Sequence, residues 1–160
     1  MGASSSRVRI DIERLPAAEG IPLPSRATAG SAGYDLSAAV KRDLVLAPGD
    51  RALVPTGYRI AIPPGYEGQI RPRSGLALSH GILLPNAPGT IDSDYRGELK
   101  VILLNAGEKS HRIRRGDRIA QLVIAPVTTA EFCERDQLEP TDRGEGGFGH
   151  SGREAHGSET

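Results

Sequence analysis

What most limits this chain is how short its apolar runs are, and how often proline or glycine cuts them. The 160 residues include 20 Gly and 12 Pro. Val8, Ile10 and Ile12 alternate with Arg9 and Asp11 and read as a first strand. Pro16 to Thr28 is rich in Pro, Gly and Ala and reads as irregular. Short strands follow at Gly33–Ala39, Leu44–Leu46, Ala52–Val54, Tyr58–Ile62 and Tyr66–Arg71, with turns at Pro48-Gly49-Asp50 and Pro63-Pro64-Gly65. Ser74 is placed to cap a helix running through Leu78, the single helix expected. Ile82–Leu84 and Leu99–Leu104 are aliphatic and strand-like, Arg114–Asp117 is a turn, and Arg118–Val127 is a further strand. Glu131–Leu138 reads as a weaker one. From Glu139 onward almost nothing apolar remains except Phe148, so that tail is expected to be mobile by itself. About eight to ten short strands at intervals of roughly ten residues, with no strand–helix alternation, indicate an all-β fold. The expected form is a jelly-roll-like barrel or sandwich with one short helix and a mobile C-terminal arm.

Composition narrows the function classes. Formal net charge is zero, which argues against a general nucleic-acid or membrane-surface binder. No apolar run approaches the roughly 20 residues of a membrane-spanning helix, and the N-terminus lacks the apolar core of a signal peptide. Met1 to Ser6 fits a loose N-myristoylation pattern, but without a second anchor signal it reads as a disordered tail. Cys133 is the only cysteine, so no intrachain disulfide exists and a cytoplasmic location is expected. Acidic neighbours disfavour its thiolate, and it is expected to be a small buried apolar residue.

The chemistry concentrates in three polar, glycine-bearing stretches. The first runs from Asn86 to Gly97 and holds Asp92, Asp94, Tyr95 and Arg96 between the two aliphatic runs. A plain hairpin turn needs only about two to five residues. This longer one reads as a wide hairpin that lines a pocket, with a polar surface loop as the bland alternative. Gly89 and Gly97 allow unusual backbone geometry or close approach of a ligand. The second is Arg73-Ser74-Gly75, a guanidinium, a hydroxyl and backbone N–H groups at a helix start, able to cradle an anion or simply to cap the helix. The third, Arg143 to Gly152, offers successive N–H groups and one aromatic, Phe148, that could stack on a planar ligand. Asp35, Asp94 and Asp117 are further carboxylates, and Asp117 in its turn reads as structural. His80, His111, His150 and His156 are scattered, so no zinc-site spacing is present. Neither a Walker A loop nor a G-x-S-x-G elbow occurs.

These residues resemble one family, the homotrimeric deoxyuridine triphosphate nucleotidohydrolases (dUTPases) of bacterial type. Five ordered motifs carry the resemblance: A-G-Y-D-L-S-A at 32–38, P-R-S-G-L at 72–76, N-x-x-G-T-I-D-S-D-Y-R-G at 86–97, R-G-D-R-I-A-Q at 115–121 and R-G-E-G-G-F-G-H-S-G at 143–152. The resemblance implies a trimer with shared active sites. One chain supplies the first, second and fourth motifs, another the hairpin, and the third its arm, closing as a lid over nucleotide. Residues 1–138 would then be the catalytic β-barrel and 139–160 the arm. It implies hydrolysis of dUTP to dUMP and pyrophosphate with Mg²⁺, limiting uracil in DNA and supplying dUMP for thymidylate synthesis.

The roles it implies are specific. Asp92 would orient and deprotonate the water that attacks the α-phosphorus. Tyr95 would pack on deoxyribose, and Asn86 with the backbone at Thr90 and Ile91 would bind uracil. Arg73, Ser74, Gly75 and Gln121 would hold phosphates, and Lys100 would be a looser nucleotide contact. Arg143 would clamp the γ-phosphate and Phe148 stack over uracil, with Gly149, His150 and Ser151 adding phosphate contacts. Asp35 would hold a metal-bound water. Two alternatives remain at this point: a dCTP deaminase-like enzyme of related fold, and a non-catalytic trimeric nucleotide-binding regulator. The Pro72-Arg73-Ser74-Gly75 segment and the complete tail speak against the first, and the presence of Asp92 and Tyr95 against the second.

Overall fold

A computed structural model describes residues 7–147. The chain divides into two units, Met1–Thr128 and Thr129–Thr160. The N-terminal tail through Ser6 and the expected arm contacts Phe148, Gly149, His150 and Ser151 lie outside the described residues.

The first unit contains the strands and the helix. In chain order these are β1 (Asp11–Arg14), β2 (Tyr34–Ser37), β3 (Leu44–Leu46), β4 (Arg51–Pro55), β5 (Tyr58–Ala61) and β6 (Tyr66–Arg71), then α1 (Ser74–His80). After it come β7 (Ile82–Leu83), β8 (Gly89–Ile91), β9 (Lys100–Asn105), β10 (His111–Ile113) and β11 (Arg118–Pro126). They form four antiparallel groups: β2-β11-β6-β8, β4-β9-β7, β1-β5 and β10-β3. None of these pairings joins consecutive strands, so the chain crosses between sheets after almost every strand, as jelly rolls do. The all-β expectation with one short helix is met.

Alternation explains the core. In β9, Val101, Leu103 and Asn105 point inward while Lys100 faces solvent. Leu36, Val54, Ile60, Ile70, Ile82, Leu103, Ile113 and Leu122 bring all four groups into one apolar cluster. Each such side chain contributes about 1.5–3 kcal/mol when fully buried. Two buried polar side chains are satisfied. Asn105 donates to the carbonyls of Leu46 (2.8 Å) and Lys109 (2.9 Å) and accepts from the Gly107 N–H (2.9 Å), tying β9 to β3 and to the turn before β10. Thr56 donates its hydroxyl to the Leu99 carbonyl at 2.7 Å.

Several local expectations are corrected. The first strand begins at Asp11, not Val8, because its partner β5 starts opposite Arg14 and ends opposite Asp11. Ser74 does not cap α1. It is the first helical residue, Arg73 occupies the cap position without a side-chain cap bond, and the helix continues two residues past Leu78 to His80. It stops at Gly81, whose φ of 67° is left-handed and whose N–H reaches back to Ala77 and Leu76. Within Pro16–Thr28 a 3₁₀ turn forms at Pro16–Ala18. No strand occurs at 131–138: Phe132, Cys133 and Leu138 are too few apolar residues among polar ones to hold one. Cys133 is exposed rather than buried.

Candidate active site

The first, second and fourth motifs meet on the four-stranded sheet. Gln121 of β11 lies opposite Asp35 of β2 on one side and Arg71 of β6 on the other. Directly opposed residues share a sheet face, so register alone brings the three together. β6 then runs through Pro72 into Arg73 at the start of α1. Gln121 Nε2 donates to the Pro72 carbonyl at 2.9 Å, fixing the entry to the helix. Arg73 Nε lies 3.2 Å from Asp35 Oδ1, and Arg118 Nη1 donates to Asp35 Oδ2 at 2.8 Å. Arg73 Nη1 also donates to the Arg118 carbonyl at 3.2 Å. The Asp35 side chain is only 18% exposed, so each of its oxygens serves a guanidinium in a partly desolvated network. Ser74 and Gly75 are exposed, and no atom lies within 4 Å of where a Cβ on Gly75 would stand.

Two residues in this cluster escape a reading by residue type. Arg118 completes the pairing of Asp35, and its signal was its place in the fourth motif. At Gly33 a Cβ would stand 2.2 Å from Gln121 Oε1, so glycine there is what lets the glutamine side chain lie across the strand.

The third motif is a wide hairpin, as expected: β7 and β9 pair antiparallel and the connection runs between them. Its first half forms β8, which leaves that sheet and pairs with β6, Thr90 opposite Gln69 and Ile91 opposite Gly68. Asn86 folds back toward Gly89, where a Cβ would stand 3.0 Å from its Nδ2. Past β8 the chain turns tightly. The Tyr95 N–H donates to the Asp92 carbonyl at 3.2 Å, and Arg96 Nη1 donates to the carbonyls of Ser93 (2.7 Å) and Tyr95 (2.8 Å). Asp92 and Asp94 are exposed, and Tyr95 is 43% exposed. Lys100 Nζ lies 3.7 Å from Glu98 Oε2. Among the described residues, no hydrogen bond or ion pair joins Asn86, Asp92 or Tyr95 to Asp35, Arg73 or Gln121.

A cleft of about 380 Å³ opens beside the first cluster, lined by Arg73, Arg118, His111 and Asp117 over aliphatic residues such as Leu76 and Ile119. His111 packs against His80 with ring centroids 4.7 Å apart and the rings tilted by 40°. Burial, then the neighbouring His80, lowers its pKa, with Asp117 acting in the opposite direction. Asp117 is structural as expected, its Oδ2 accepting the Arg114 N–H at 2.7 Å. In the second unit, Arg143 Nε donates to the Gly146 carbonyl at 2.7 Å, and the Gly144 N–H bonds the Thr141 carbonyl at 2.9 Å.

Among the described residues no group of three or more His, Cys, Asp or Glu could hold a metal ion. With Asp35 already paired twice, a protein-only Mg²⁺ cage does not fit. A hydrated ion carried by phosphate oxygens does.

Fold and site define a class: small antiparallel β proteins with an arginine–carboxylate cluster at the start of a short helix and a carboxylate-bearing hairpin. The family model for dUTPase matches residues 19–152. The chain belongs to the dUTPase family. It is 54% identical over 146 residues to the deoxyuridine 5'-triphosphate nucleotidohydrolase of Zymomonas mobilis, covering 91% of this chain and 99% of that one. It is 56% identical over 155 residues to the protein of the same name from Methylocella silvestris, covering 96% and 97%. Among solved structures it is similar to a point mutant of the Staphylococcus bacteriophage 80alpha dUTPase bound to dUpNHpp, with a TM-score of 0.81, 29% identity and coverage of 91% and 99%. It is also similar to a mutant dUTPase of phage phi11 of S. aureus described with a structural Mg(II) ion, with a TM-score of 0.73, 26% identity and coverage of 82% and 99%. Among the described residues no helix is long and apolar enough to cross a membrane.

Proposed function

We propose that this chain hydrolyses Mg²⁺-bound dUTP to dUMP and pyrophosphate in the cytoplasm, limiting uracil in DNA and supplying dUMP for thymidylate synthesis. The observation that carries the reading is the 54–56% identity, over more than 90% of the chain, to two proteins named for that reaction. The site chemistry agrees with it. Arg73, Ser74, Gly75 and Gln121 offer donors suited to a polyphosphate. Asn86 and the backbone of Thr90 and Ile91 offer an edge-on surface for uracil, with Tyr95 against the sugar and Lys100 at the rim.

Asp92 takes a proton from the water that attacks the α-phosphorus, and pyrophosphate leaves from the opposite side. A carboxylate is a weak base, so positioning and charge stabilisation supply most of the acceleration. When bound with the nucleotide, Mg²⁺ offsets phosphate charge. Asp35 stands one layer back, holding Arg73 and Arg118 and able to take a hydrogen bond from a metal-bound water.

The oligomer of this reading is a trimer with shared sites. What supports it is that, among the described residues, no hydrogen bond or ion pair joins Asn86, Asp92 or Tyr95 to Asp35, Arg73 or Gln121, so that a neighbour's hairpin is free to complete the site. Residues 139–160 act as the arm, with Arg143, Phe148, Gly149, His150 and Ser151 closing over nucleotide. Asp92→Asn tests the base assignment. It should retain nucleotide binding while turnover falls by about 10²–10⁴-fold, and near-normal turnover would overturn the assignment.

A further inference from the structure

Tyr95 reaches across its own loop. Its ring lies over Gly97, and its Oη donates to the Glu98 carbonyl at 3.1 Å. A Cβ on residue 97 would stand 2.2 Å from Tyr95 Oη, 2.4 Å from Cζ and 2.8 Å from Cε2. Nothing in the backbone demands glycine there, since Gly97 is not among the glycines with positive φ. Clearance for the tyrosine ring is what the missing side chain provides.

The carbonyl that receives the phenol sits on a firm base. Glu98 Oε1 accepts the Gly57 N–H at 2.9 Å from the turn between β4 and β5. The next residue, Leu99, is fully buried, and its N–H donates to the Tyr58 carbonyl at 2.8 Å. Tyr95 itself stands on an exposed turn. Its ring is therefore placed by the flat surface of Gly97 and the hydrogen bond to Glu98, not by its own segment of backbone.

We propose that Gly97 is a positioning residue for sugar discrimination: by lacking a side chain it lets the Tyr95 ring lie where it excludes a ribose 2′-hydroxyl. The proposal rests on the reading of Tyr95 as the group packed on deoxyribose. Rejecting one added hydroxyl by contact requires the ring to be held to within about 0.5 Å. A methyl group at position 97 forces the ring away, because the flexible aromatic end yields before the anchored Glu98–Leu99 backbone.

The test compares wild type, Tyr95→Ala, Gly97→Ala and the double variant, each assayed for kcat/KM on Mg²⁺-dUTP and Mg²⁺-UTP. Gly97→Ala should raise the UTP-to-dUTP ratio by about tenfold or more. The double variant should go no further than Tyr95→Ala alone, a non-additivity that general loosening of the loop does not produce. Gly30→Ala, where a Cβ meets nothing within 4 Å, should leave the ratio at its wild-type value. A wild-type ratio in Gly97→Ala, alongside a raised one in Tyr95→Ala, overturns the role of Gly97 and keeps that of Tyr95. An unchanged ratio in Tyr95→Ala overturns both. If Gly97→Ala fails to fold, the double variant decides: with the ring removed by Tyr95→Ala the methyl at 97 has room, so Tyr95→Ala/Gly97→Ala should fold with the melting temperature of Tyr95→Ala, and failure of the double variant to fold overturns the clearance role.

Discussion

At the scale of the residue, the site depends on small clearances as much as on charged groups. Gln121 can lie across its strand only because residue 33 has no Cβ, the distance to that hypothetical atom being 2.2 Å. Gly33→Ala should push the glutamine off the Pro72 carbonyl and raise KM for dUTP by about tenfold with little change in melting temperature; an unchanged KM would show that the side chain re-seats without cost. Charged and aromatic candidates could be named from the sequence because few residue types do such chemistry and they sit in glycine-bearing stretches. Arg118 and Gly33 were not, since their roles are contacts between strands 80 or more positions apart in the chain. The Gly97 pairing is local, yet sequence could say only that something passes close to it.

At the scale of the element, strands with clean alternation were readable and short or edge pieces were not. β10 has three residues and was missed, while the expected strand at Glu131–Leu138 lacked the apolar surface to form. Helix α1 was placed correctly but its cap was not: from sequence alone a serine at a helix start reads equally as the cap or as the first helical residue. Its far end carries His80 against His111 of β10, and that contact is pH-sensitive. Burial and His80 lower the proton affinity of His111 in the folded state. The unfolded chain then binds the proton more readily, so this group's contribution to stability is complete above the ordinary histidine pKa of about 6.5 and is lost as pH falls below it. The melting temperature should drop between about pH 7 and pH 5.5, and drop less in His111→Gln. Equal slopes in the two proteins would contradict the assignment.

At the scale of the molecule, the fold class was legible from the number and spacing of short strands, but the pairing was not. Each strand bonds to partners distant in sequence, and the same alternation fits many such arrangements. The crossing connections place the hairpin and the phosphate cluster on different strands of one sheet, β8 at its edge and β11 within it. The proposed arrangement is a shared site in a trimer, with residues 139–160 as the closing arm. Deleting residues 141–160 should leave a trimer by sizing with an unaltered melting curve, while kcat/KM falls by about tenfold or more. Full activity in the truncated protein would remove the lid from the mechanism. The most direct measurement is pyrophosphate release from dUTP, dTTP, dCTP and UTP, each with Mg²⁺, on the purified full-length chain. Release from dUTP alone is the expected result, and comparable release from all four, or none from dUTP, would contradict the function proposed for this site.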